Sequence, residues 1–478
     1  MAPSDSLHLN FINGAPAEST SGEHTPLIDP CTGRTMAHAA RSSPADVEQA
    51  CTAAADAFEG WRITSPAERQ RGLLRLASAL EEQSDRFTAA ECANTGKPVQ
   101  LTAREEVAVA VDVLRYFAGS ARSTTAPGAG EYLDGHTSYV RREPLGVCAQ
   151  MVPFNYPLLM AIWKLAPAVA TGNTVVLKPS HNTPVTALML AEAAGAVLPP
   201  GVVNVVCGER EAVHTLLTHP AVRQVSATAS TPSGIAIAQE AITDVKRMHL
   251  GLGGKSPALV CADADIEAAA ESIAYGGFLN AGQDCTAASR VLVADPVHDT
   301  FVAALTKHAE ALHTGPPDDT GAFYGPLNSE RQLERVLHHL DRRPAHTTLL
   351  SGGERVGEQG WFLAPTLIDG LRPTDALCTE ELFAPVITVE RFSDTDEAVR
   401  RVNSSPYGLS CSVHTRDHAT AMRAAAALDY GCVWVNTHLT LVSEMPHGGF
   451  KHSGNGKDLS LLALDECTRS KHVMHRTA

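Results

Sequence analysis

The sequence predicts an α/β protein built on a parallel sheet with helices on both faces. From about Leu145 onward, short β-rich runs alternate with stretches of helical length, which is the pattern of successive β-α-β units. The part before Leu145 carries helix-start chemistry instead. A length of 478 residues, 44% hydrophobic and 19% charged, suits two or three domains of about 100 to 200 residues with large cores.

In chain order, Ser43-Pro44 opens a helix that places Val47, Cys51, Ala54 and Phe58 on one buried face. Ser65-Pro66-Ala67-Glu68 combines a cap, a proline at the first helical position and a capping-box acid. It starts a helix whose apolar positions are Leu73, Leu74, Leu76 and Leu80. The Gly-rich break from Thr124 to Gly135, followed by alternating residues up to Arg142, predicts a projecting hairpin. Strands follow at Val147 to Val152, Thr174 to Leu177, Val202 to Val206 and Ala258 to Cys261, with helices at Tyr156 to Ala170 and Pro184 to Ala194. A helical stretch ending near Asn280 and a strand at Arg290 to Val293 flank Cys285.

The net charge of −15 repels phosphate backbones and anionic lipid, so no nucleic acid and no membrane is expected as partner. Eleven cysteines are spread from Cys31 to Cys467 without a C-x-x-C pair or a zinc-like Cys/His spacing. They read as reduced thiols, and no metal site is expected. The start, MAPSDSLHLN, lacks a basic region followed by an apolar one, and no apolar run approaches the roughly 20 residues of a spanning helix. The expected location is the cytoplasm.

Cys285 stands in NAGQDCTAASR among small residues near a turn, where a carbonyl can approach a thiol, a better nucleophile than a hydroxyl at neutral pH. A single cysteine is ordinarily a buried structural thiol, so the surrounding motifs decide. PFNYP at 153–157, VVLKPS at 175–180, GLGGKSP at 251–257, GQDCTAASR at 282–290, EELFAPV at 380–386 and PHGGFKHSGNGKD at 446–458 resemble the aldehyde dehydrogenase superfamily in order and spacing, over nearly the whole chain. GCVWVNTH and VSEMPHGG are most similar to its 4-aminobutyraldehyde and betaine-aldehyde branch.

The resemblance implies a Rossmann-like nucleotide domain (1–123 and 146–252), an α/β catalytic domain (253–445) and a β-hairpin oligomerisation extension (124–145 with 459–478) that makes a homodimer or homotetramer. It implies that Cys285 adds to a small aldehyde to give a thiohemiacetal and then a thioester, with Asn155 and the Cys285 backbone N–H as oxyanion hole. For NAD or NADP it implies Lys178 at the ribose, Glu381 and Phe383 at the nicotinamide end, and Ser230 at a phosphate-contacting helix start. Tyr156, Trp163 and Trp434 match positions lining the aldehyde channel, where their faces suit an ammonium head.

The sequence also departs from the family pattern. Gly251 stands where the family's general-base glutamate precedes LGGK, and Asp458 occupies a second acidic position. Ala227-Thr228-Ala229-Ser230 replaces an aromatic-Thr-Gly-Ser turn, Phe154 a tryptophan, Ala384 a glycine, and His181 a ribose-binding carboxylate. Losing a positioned base costs about 10²–10⁴-fold. The expectation is impaired hydrolysis of the acyl-enzyme and an altered cofactor site without strict NAD selectivity. Two alternatives stay open: cysteine-dependent transfer of the acyl group to coenzyme A or an amine, or another non-redox use of the fold, and a catalytically silent scaffold.

Overall fold

The computed structural model describes residues 6–123 and 128–477. Both sequence-predicted capping boxes form: Ser43 caps Pro44–Trp61 and Ser65 caps Pro66–Glu82, each with the reciprocal bond from the acid at the third helical position. Such a cap stabilises a helix by about 1 kcal/mol. Two expected core positions differ. Leu74 is 41% exposed, because the helical step of about 100° carries it off the stripe that Leu73, Leu76, Ala77 and Leu80 bury. Phe58 is only half buried; Trp61 makes the closing contact there, its indole N–H donating to the Val169 carbonyl at 3.2 Å.

Runs without a polar alternation are what a sheet covered on both faces requires, and Val147–Met151 and Thr174–Lys178 are buried at every position. They lie in an eight-stranded sheet. Its order runs Gly454–Asn455, Arg247–Gly251, Val222–Thr228, Val147–Met151, Thr174–Lys178, Val203–Val205, Asn10–Ile12, Ala15–Ala17. The five inner strands are parallel and the outer ones antiparallel. The direction of winding reverses between Val147–Met151 and Val222–Thr228, the place where open α/β sheets leave a crevice at their C-terminal strand ends. Helix Pro157–Ala170, buried along its whole length, packs one face together with Leu73, Leu76, Leu80 and Phe117.

A seven-stranded sheet holds Thr348–Ser351, Thr366–Asp369, Val386–Phe392, Arg290–Ala294, Pro257–Val260, Ser410–His414 and Cys432–Val435 in that order. All its pairings are parallel except that of Thr348–Ser351. A third sheet joins Gly130–Leu133, His136–Pro144 and Thr468–Arg476, with the last two paired from Thr468↔Pro144 to Arg476↔His136. The two segments assigned to oligomerisation thus meet in one sheet of which Thr468–Arg476 is an edge. The beginning of the expected hairpin, 124–127, lies outside the described residues. All eleven cysteines are free, and no described helix is long and apolar enough to cross a membrane.

Candidate active site

The crevice is a cavity of about 1600 Å³, larger than the roughly 300–1,000 Å³ that holds a single small ligand. One wall is made by the strand ends Met151, Lys178, Thr228 and Gly251, the other by Cys285, Glu381, Phe383 and Tyr407. Asn155, Tyr156, Trp163, His181, Ser230 and Asp458 also line it. Of the sequence-predicted site residues only Trp434 is absent from the wall. Its indole packs on His438, ring centroids 4.8 Å apart, and donates to the Thr440 carbonyl at 2.7 Å. The loop after it turns Leu439 and Leu441 into the cavity instead.

Cys285 is carried by a strained turn. Helix Ile266–Phe278 ends, and Asn280, Ala281 and Gly282 follow with φ of 51°, 58° and 62°, a left-handed run that costs about 1 kcal/mol or more at each non-glycine. The turn is held by its neighbours: Gln283 Nε2 donates to the Pro326 carbonyl at 3.2 Å and Asn328 N–H to Gln283 Oε1 at 2.9 Å. Behind it, His438 Nε2 meets the Thr286 carbonyl at 2.8 Å and Nδ1 the Ser412 hydroxyl at 2.8 Å. Burial holds His438 down at about 4, so the ring is neutral, donates to Thr286 and accepts from Ser412. Burial, with the Asp284 and Glu381 carboxylates nearby, pushes the Cys285 thiol well up; at rest it is protonated. Asn155 Nδ2 spends one hydrogen on the Gln283 carbonyl at 2.9 Å, and its buried Oδ1 has no partner.

At the other end of the cavity the residues fit a dinucleotide. Ser230 caps helix Thr231–Ala241, but its hydroxyl donates to Ser233 Oγ at 3.0 Å and makes no bond to a backbone N–H. The first-turn N–H groups are therefore left for an anion. Lys178 Nζ donates to the Gly208 carbonyl at 3.0 Å and is lowered by burial to about 8. Glu381 accepts from Gly254 N–H at 2.9 Å; a Cβ on Gly253 would collide with its Oε2, so that glycine admits the carboxylate. Burial raises Glu381 to about 7, leaving it ready to gain from a hydroxyl donor. Phe383, at φ 55°, meets Phe154 edge-on at 5.8 Å between centroids. His181 is exposed on the cavity wall, which Arg210 and Arg331 also line.

On the aldehyde side, one face of Tyr156 is already covered by Lys97 Nζ, 4.8 Å from the ring centre. Trp163 meets His447 edge-on at 5.3 Å. The trio of open aromatic faces is thus not assembled. The structure brings in Glu105, which the sequence reading missed: it lines the cavity, accepts from Tyr275 OH at 3.1 Å and pairs with Arg104 at 2.6 Å.

Gly251 ends its strand opposite Thr228. A Cβ there would lie 3.2 Å from Thr228 Oγ1 and 3.7 Å from Asp458 Oδ2, so the Asp458 carboxylate borders the space a side chain at 251 would fill. Asp458 is buried and held low by Lys164 and two histidines despite the cost of burial. Lys164 Nζ lies 3.5 Å from Oδ1 and His249 Nε2 3.6 Å from Oδ2. Among the described residues no group of three or more His, Cys, Asp or Glu is placed to hold a metal.

The family model described as "Aldehyde dehydrogenase family" matches residues 17–473. An aldehyde dehydrogenase named as mitochondrial, from Leishmania tarentolae, is 41% identical over 97% of this chain and 94% of its own length. One from Aspergillus niger is 38% identical over 98% and 94%. Among solved structures, the NAD+ complex of an aldehyde dehydrogenase from Bacillus cereus superposes with a TM-score of 0.97 at 34% identity, across 99% of this chain and 97% of that one. A betaine aldehyde dehydrogenase variant from Staphylococcus aureus in complex with NAD+ does so at 0.96 and 32%, across 98% and 96%.

Proposed function

The chain belongs to the aldehyde dehydrogenase family, and from that membership we propose that it oxidises a small aldehyde, preferentially an aminoaldehyde, through Cys285 with NAD or NADP. The observation that carries this reading is the convergence of Cys285, Asn155, Lys178 and Glu381 on one cavity.

Cys285 Sγ adds to the aldehyde carbon, and the oxygen that gains the charge is met by the Asn155 amide and the Cys285 backbone N–H. The nicotinamide, when bound, supplies the hydride acceptor and a positive charge that draws the thiol toward thiolate. Lys178, the free N–H groups after Ser230 and the half-buried Glu381 would hold that group in place. A thioester is left on Cys285, and with Gly251 contributing no carboxylate its hydrolysis is the slow step. Rapid mixing with NAD and an aminoaldehyde should therefore give a burst of reduced cofactor close to one per site, then a slow phase. No reduced cofactor with any aldehyde would refute the reading and favour a scaffold. A second reading, acyl transfer to coenzyme A or an amine, rests on Gly251 alone; a slow phase accelerated tenfold or more by either acceptor would favour it.

Glu105 supports the aminoaldehyde preference, since a carboxylate shared between Tyr275 and Arg104 can still receive an ammonium. Glu105→Gln is expected to raise KM for an ammonium-bearing aldehyde about 3- to 10-fold, the loss of one partly exposed charge contact, with little change for a neutral aldehyde of equal length. Equal changes for both would remove Glu105 from recognition.

His181 in place of a carboxylate, with Arg210 on the same wall, relieves the repulsion of a 2′-phosphate. Titration should give a preference for NAD over NADP of less than tenfold (about 1.4 kcal/mol); a larger one would count against this assignment. The unpaired outer side of Thr468–Arg476 supports homodimer or homotetramer formation by strand pairing, and a cytoplasmic location remains part of the proposal.

A further inference from the structure

Around the space beside Gly251 the structure leaves an unusual set of buried polar atoms without hydrogen-bond partners: Thr228 Oγ1, Lys164 Nζ, Trp163 Nε1 and His447 Nδ1. Buried polar groups are ordinarily satisfied, and a cluster of unsatisfied ones marks a site for water or ligand. His447 is buried to 6% exposure yet lines the cavity. It forms a two-bond backbone bridge with Asp458, each N–H donating to the other's carbonyl, at 2.8 and 2.7 Å. Directly opposed residues in such a bridge send their side chains to the same face, and both line the cavity that Gly251 and Cys285 share.

We propose that His447 is the base that activates the hydrolytic water, with Asp458 as its positioning residue, in the place that Gly251 leaves without a carboxylate. The inference rests on the Cys285 chemistry proposed above and specifies its second half. Asp458 is itself a poor proton acceptor, because the Lys164 ammonium, 3.5 Å from Oδ1, holds it in the ionised form. His447 has the complementary properties. Its Nδ1 has no partner within the protein, and burial keeps the ring below the ordinary 6.5, hence neutral at pH 7. Asp458 and Asp284 favour the imidazolium it becomes, while Lys457 and Lys164 oppose it, and the neighbouring His249 is neutral, lowered by burial to about 4. In the step, the water oxygen bonds to the thioester carbon as its proton passes to His447. The carbon–sulfur bond breaks with its electron pair going to Cys285 Sγ, and the imidazolium returns the proton to the sulfur. The products are the carboxylic acid and the free thiol.

The test is burst kinetics of His447→Gln in the full-length protein with NAD and an aminoaldehyde. The burst should persist while the steady phase falls about 10²-fold, the usual contribution of a general base. In the Gly251→Glu background, by contrast, His447→Gln should cost less than about threefold, because the new carboxylate has taken over the base's task, and a merely structural role for His447 would not allow that loss of additivity. A steady phase unchanged in His447→Gln, or a loss of the same size with and without Gly251→Glu, overturns the proposal; so does a rate lost only in Asp458→Asn. Absence of any reduced cofactor from the unmodified protein with any aldehyde overturns instead the Cys285 reading on which this rests. Should His447→Gln not fold, the unmodified protein decides. Its steady phase must lose rate on acidification with a midpoint below 6.5, and a midpoint above that, or a rate that stays flat on acidification for as long as the protein remains folded, refutes a histidine base.

Discussion

Cys285→Ala is expected to lower aldehyde oxidation by at least about 10⁴-fold, the scale on which removal of a covalent nucleophile acts. The reason is geometric as well as chemical. The left-handed run at Asn280, Ala281 and Gly282 exists to present one side chain to the cavity, and the His438 and Gln283 contacts hold that turn whether or not a thiol is present. The substituted turn therefore keeps its support, and Cys285 is only half buried, so the melting temperature should shift by no more than a few °C. Intact-mass analysis after incubation with aldehyde and cofactor should show one acyl adduct per chain in the unmodified protein and none in the variant. The other thiols do not compete. None of the other ten cysteines lines the cavity, and Cys51, Cys207 and Cys467, for example, are buried. Retained adduct or turnover would assign the chemistry elsewhere.

Gly251→Glu is the second large effect, and it runs the other way, with an expected rise of about 10-fold or more in the steady hydrolytic rate. The site can take the side chain: its nearest neighbour, Thr228 Oγ1 at 3.2 Å, has to yield by only a few tenths of an ångström. The new carboxylate then lies beside Asp458, and two acids sharing a site cannot both ionise freely, so the pair releases its second proton at a raised pH. Because the base acts deprotonated, activity should climb with pH through that raised value, moving the acidic limb upward compared with the unmodified protein. The burst should shrink as hydrolysis ceases to limit turnover. An unchanged steady rate would mean that water is already activated as well as this cavity allows.

The parts of the molecule that local chemistry determines were legible. Ser43 and Ser65 with their prolines and acids announce helix starts, and the runs at 147–151 and 174–178 are apolar on both faces because the sheet is covered on both. Motif spacing also brought together residues that share a cavity wall. What escaped depends on geometry that no periodicity carries. The five-residue π turn Ala103–Val107 breaks the helical phase, setting Glu105 on the cavity and burying Glu106 at 1% exposure against Lys97. The positive φ of Asn436 and Leu439 swings the loop after Trp434 so that leucines take the place expected of the indole. His447 becomes notable only once its bridge to Asp458 is seen.

The two ends of the eight-stranded sheet impose an order on how the protein comes into being. One edge is formed by Ala15–Ala17 and the other by Gly454–Asn455, so residues more than 400 positions apart in the order of synthesis complete a single sheet. The pairings that attach the two ends, Phe11 with Val205 and Leu250 with Asn455, each span about 200 positions and close slowly, since the loop entropy is lost before the contacts are gained. On a ribosome adding about 5 to 20 residues per second, a nascent chain already carries Cys285 while the segment bearing His447 and Asp458 is still unmade. The thiol's pocket therefore lacks its polar side until synthesis has passed residue 458. A chain interrupted before residue 446 would hold Cys285 in a cavity without the His447 and Asp458 that line it.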